Sequence, residues 1–183
     1  MKRTSPLRLL AAVMAVALLL RAVPVMAQAV HLDEQKIRAG LVYNYLKYTT
    51  WPLREGGGEA KYLSVCLYGG DAFGGALNPL EGRTAQQYTI HITRLSGSAS
   101  VANCDLLYID RSQEDRLDSI LAQAQGRNVL TMSDIANFAK RGGMVGFSMQ
   151  DQRIHMAINK KAAEDSGIAI QPRMLRLGEV VAP

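Results

Sequence analysis

Few residues of this chain are of a kind that does chemistry, and their spacing limits what they could do. The 3 histidines, His31, His91 and His155, stand far apart, none at ligand spacing, so a half-buried or surface polar role fits each better than metal binding or general base work. Cys66 and Cys104 are the only 2 thiols, and neither a C-x-x-C pair nor a third cysteine is present for thiol exchange or a zinc cluster. No serine lies in G-x-S-x-G, and Glu114, Asp115 and Asp118 share one helix-like segment, as a solvated face would. Gly69-Gly70-Asp71 follows an apolar run and could aim backbone N–H groups at a phosphate, but both phosphate-loop signatures are absent; a tight turn is the simpler expectation. Neither an enzyme nor a bound metal or cofactor is expected.

Two groupings survive that search. One is Cys66 with Cys104; the other is Trp51 with Arg173 and Arg176, since an aromatic beside fixed cations suits anionic or planar groups and marks a candidate partner or ligand surface. A core Trp51 with solvated arginines is the alternative.

The compartment bears on the cysteines. Lys2, Arg3 and Arg8 precede the apolar run LLAAVMAVALLL, too short to span a bilayer, and Val25-Met26-Ala27 suits signal peptidase. Residues 1–27 are therefore expected to be a cleavable signal peptide, leaving 28–183 as a single periplasmic domain. Removing Lys2, Arg3, Arg8 and Arg21 and no acid lowers the net charge from +5 to +5 − 4 = +1. Nothing in so neutral a domain argues for nucleic acid. In an oxidising compartment two cysteines invite pairing, with two small buried hydrophobes as the alternative.

Elements must position these residues. Asp33 could cap a helix with Ile37, Leu41, Tyr45 and Tyr48 inward, closed by Trp51-Pro52. YLSVCLY (62–68) is apolar nearly throughout, as in a strand buried on both faces. YTIHITRL (88–95), DLLYID (105–110) and NVLTM (128–132) are further strands; residues 113–125 form a helix, and Ser133 caps another through Ile135, Phe138 and Ala139. GGMVGFSMQDQRIHMAIN (142–159) is a hairpin with Val145, Phe147, Met149, Ile154, Met156 and Ile158 on one face. The alternation predicts an α/β fold: a mostly parallel sheet flanked by helices, with an antiparallel hairpin toward the C-terminal part.

Six blocks, RAGLVYNYLKYTTWP (38–52), YLSVCLYGGDAFG (62–74), NCDLLYI (103–109), VLTMSDIANFAKRGGMVGF (129–147), RIHMAINKKAAEDSGIAI (153–170) and MLRL (174–177), together resemble the YfiR family of small periplasmic regulators. The resemblance implies a repressor that binds the extracytoplasmic domain of an inner-membrane diguanylate cyclase, lowers cyclic di-GMP signalling and so biofilm formation, and can form a homodimer. It also implies a disulfide at Cys66 and Cys104, whereas the second cysteine pair of the best-known type has no counterpart around the hairpin. A small-ligand-binding module, using the strand ends at Gly69-Gly70-Asp71 and Asp110-Arg111, and an accessory subunit of another sensor such as a histidine kinase are the alternatives.

Overall fold

The computed structural model describes residues 23–52 and 62–182. Residues 1–22 of the expected signal segment lie outside them, as does the GGGE stretch. The chain divides into units Met1–Glu34 and Gln35–Pro183, and the second holds the core.

The first helix, α1, runs Val23–Tyr48. Pro24 falls in its first turn, where a missing N–H is tolerated, so Asp33 lies inside the helix and not at its cap as expected. The buried stripe also differs from the expected one: Gln35, Arg38, Ala39, Val42, Tyr45 and Leu46 face the core, while Ile37 is 56% exposed. The helix has turned to bury Arg38, whose charge is met by Asp134, and apolar spacing alone could not foresee that ion pair.

After β1 (Thr49–Thr50) come β2 (Tyr62–Tyr68), β3 (Thr84–Ala85), β4 (Tyr88–Leu95), β5 (Leu106–Ile109), β6 (Leu130–Ser133), β7 (Val145–Gln150), β8 (Arg153–Ile158), β9 (Ala169–Ile170) and β10 (Glu179–Val180). An 8-stranded sheet has the order β10-β8-β7-β6-β5-β2-β4-β3, and β1 pairs separately with β9. Within the large sheet only β3–β4 and β7–β8 are antiparallel. The α/β fold, mostly parallel with a hairpin toward one edge, is the one the alternation of elements predicts.

Both faces of the central strands are covered, which is why they are apolar without a break. Leu63, Val65 and Leu67 of β2 and Tyr108 of β5 meet Val42, Tyr45 and Leu46 of α1 in one core. Cys66, Tyr68, Leu107 and Ile109 point the other way, against Leu117, Ile120 and Ala124 of α2 (Leu117–Ala124). Two short helices follow the hairpin, α3 (Lys160–Asp165) and α4 (Pro172–Leu175).

The helix expected from Ser133 is a single 3-10 turn, Phe138–Arg141. Ser133 instead ends β6, its hydroxyl donating to the Ile109 carbonyl at 2.7 Å and accepting from the Ile135 N–H at 3.0 Å. Asn137 before the turn is left-handed (φ 55°) and Gly142 closes it at φ 95°, so no helix can propagate in either direction. At Gly143 any Cβ would overlap the Phe138 ring, which accounts for the second glycine.

Candidate functional site

The order β4-β2-β5-β6 places a topological switch point between β2 and β5, where open α/β sheets hold ligands. Gly69-Gly70-Asp71 leaves β2 there and Asp110-Arg111 leaves β5. Side chains of the loop after β5 pack against the two glycines. A Cβ on Gly69 would stand 2.8 Å from Cγ of Gln113, and one on Gly70 would be 3.1 Å from a carboxylate oxygen of Asp110. Asp110 in turn accepts from the Ser112 N–H at 2.9 Å, and Asp71 accepts from the N–H groups of Phe73 and Gly75, both at 3.0 Å. Acceptors that cap their own turns serve as local structure, so the glycine turn is tight packing between two loops.

Beside the switch point, Arg38 reaches across from α1 to Asp134 at 3.1 Å, with side chains only 10% and 12% exposed. Arg111 donates to the Asp134 carbonyl at 2.9 Å and lies 3.6 Å from its carboxylate. The pair ties α1 to the loop after β6. Below it, burial pushes the Tyr108 hydroxyl well above its ordinary range, the nearby Asp134 charge adding to the effect, and burial does the same to Tyr45. Neither phenol can exchange a proton near neutral pH.

Cys66 and Cys104 form a disulfide, with alpha carbons 5.8 Å apart. Both are 3% exposed and sit in the core under α2, where the bond pins the start of β5 to the middle of β2. Sealed from solvent, it is a structural tie.

The grouping of Trp51 with Arg173 and Arg176 is split by the fold. Trp51 is half-buried against the main core and donates its indole N–H to the Asp105 carbonyl at 3.0 Å. Pairing of β1 with β9, continued by the Gln171 N–H to the Tyr48 carbonyl at 3.0 Å, brings α4 to the end of α1. Arg173 consequently lies over Tyr48, 4.6 Å from the ring centre, and not over Trp51. Arg176 is exposed nearby.

What the sequence search missed is how far this arrangement extends. Lys47 stands 5.4 Å from the Tyr48 ring and 5.5 Å from that of Tyr43, and Arg83 lies 5.0 Å from Tyr43. Tyr43 is held by its hydroxyl, which donates to the Thr84 carbonyl at 3.1 Å. Arg173, Tyr48, Lys47, Tyr43 and Arg83 thus form a ladder of alternating cations and rings. Its only sequence signal was Tyr43, Lys47 and Tyr48 on one helix, since Arg83 and Arg173 arrive from distant segments.

Of the histidines, His91 pairs with Glu81 on the surface at 2.9 Å and His155 is exposed on β8; the His31 side chain lies outside the described residues. No group of three or more His, Cys, Asp or Glu placed to hold a metal occurs among the described residues. Nor is any helix among them long and apolar enough to cross a membrane.

Fold and surface together define the class: a disulfide-tied, doubly wound α/β domain whose first helix presents tyrosines and cations. The chain belongs to the YfiR/HmsC-like family, which it matches over residues 35–179. No curated protein matches it. Among solved structures, a conserved domain protein from Vibrio cholerae O1 biovar El Tor strain N16961 is similar at 14% identity and a TM-score of 0.53, over 79% of this chain and 58% of that one. The ABC domain in complex with L-Trp from Streptococcus pneumoniae is similar at 11% identity and a TM-score of 0.47, over 65% of this chain and 55% of that one. The chain thus spans little more than half of each, and the likeness to the first is one of fold.

Proposed function

We propose that this protein is a periplasmic repressor that binds the extracytoplasmic domain of an inner-membrane diguanylate cyclase and has no catalysis of its own. The observation that carries this is membership of the YfiR/HmsC-like family across residues 35–179. A core disulfide suits an exported protein, and on this reading the signal peptide is removed after Ala27. On this reading Arg173, which lies over Tyr48, and the exposed Arg176 are on the side that meets the partner.

Repression requires tighter binding to the inactive cyclase than to the active one, because equal affinity shifts nothing. A hundredfold drop in output needs a difference of about 2.7 kcal/mol, which a modest interface supplies. Deleting the gene should raise cellular cyclic di-GMP and adhesion, and deleting the partner cyclase as well should abolish the rise. An unchanged nucleotide level under several envelope stresses, with no binding between the purified proteins, would reject the repressor.

A further inference from the structure

The outer side of α1 carries a glycine that the chain's own packing does not use. Gly40 lies in the interior of Val23–Tyr48, where glycine is the least favourable residue except proline. Its backbone is helical, and nothing among the described residues lies within 4 Å of the position its Cβ would take. A mid-helix glycine is useful where another backbone must come close. Here no other part of the described chain does.

The surroundings of Gly40 describe what would approach. Lys36, Gly40, Tyr43 and Lys47 recur at intervals of 4, 3 and 4 residues and so form one stripe along the helix, with Ile37 beside it, 56% exposed. At its lower end the stripe joins the cation and ring ladder. Lys47, Arg83 and Arg173 have tyrosine faces as neighbours and no acidic partner among the described residues. An exposed glycine, an apolar neighbour and cations without acidic partners together match an amphipathic helix that carries acids on its flank. Cations alone would serve for an anionic membrane surface. The glycine distinguishes the two, because close approach of helix axes depends on small side chains at the crossing.

We infer that the exposed face of α1, centred on Gly40 and bounded by Ile37, Tyr43, Lys47 and Arg173, is where an acidic, amphipathic helical segment of the cyclase's periplasmic region docks. This rests on the repressor function proposed above and adds the surface and the chemistry of its partner.

The test measures binding of the full mature chain to the purified periplasmic regions of the membrane diguanylate cyclases of the same organism. Gly40→Ala should melt about 2–4 °C higher, because the helix gains and nothing clashes, yet bind about tenfold more weakly. A merely structural glycine would not separate those two effects in opposite directions. Lys47→Glu and Arg173→Glu, with unchanged circular dichroism, should each weaken binding about tenfold and flatten its dependence on ionic strength. If the wild type binds and all three variants bind equally well, or if Gly40→Ala is destabilised, the docking surface is wrong while the repressor function stands. If the wild type does not bind, the repressor function falls and this surface falls with it.

Discussion

Arg38 and Asp134 illustrate why single residues in this protein can be read only in their tertiary context. A buried ion pair is balanced between desolvation and attraction, so removing one partner is far worse than removing both. Asp134→Ala should therefore destabilise the domain by about 3 kcal/mol in urea unfolding, and Arg38→Met with Asp134→Leu should recover most of the loss. Glu81 is the exposed counterpart. The hydrogen bond from His91 and the Ile92 N–H at 2.7 Å hold its carboxyl below its ordinary value of 4.5. A depressed folded pKa means the contribution is present above the unfolded value and is lost as pH falls through the folded one. The melting temperatures of wild type and Glu81→Gln should differ slightly at neutral pH and converge as the pH falls through the depressed pKa of folded Glu81, below which both carry a neutral side chain.

Among the elements, the hairpin was legible in its pairing, but its burial was not: Met149, expected on the core face, is 39% exposed and Gly146 on the other face is buried, because the first half of β7 is covered and the last three residues are not. Nor was its turn: Asp151 and Gln152 are both left-handed, at φ 48° and 60°, a primed turn made without the usual glycine. Asp151→Asn with Gln152→Gly should raise stability by up to about 1 kcal/mol, seen as a higher urea midpoint with an unchanged slope. Helix α1 is a similar case. Its existence was plain from composition, but which side faced inward was not. Ile37, Leu41, Tyr45 and Tyr48 form a plausible stripe, and the fold selected a neighbouring one that shares only Tyr45 with it, because Asp134 neutralises Arg38. The candidate site suffered directly from that ambiguity, since Ile37 and Gly40 become surface only once the true inward face is known.

For the whole molecule, the Cys66–Cys104 bond closes a loop of 104 − 66 − 1 = 37 residues that includes β3 and β4. Chain entropy puts its contribution at up to about 4 kcal/mol. Cys66→Ala with Cys104→Ala should lower unfolding stability by no more than that while leaving partner binding intact, and unfolded, unreduced wild type should titrate no free thiol. The α/β class, the strands buried on both faces and the hairpin could be read from the sequence, because alternation, apolar runs and glycine turns act over a few residues and need no knowledge of neighbours; the family was legible in the resemblance of six ordered blocks. The long-range packing settled which side of α1 is exposed, that Trp51 donates to the Asp105 carbonyl while Arg173 lies over Tyr48, and that Ser112 and Gln113 pack against Gly69. Those outcomes depend on strand order and on pairings such as β1 with β9, which join residues more than a hundred positions apart, and no local pattern encodes a contact of that range.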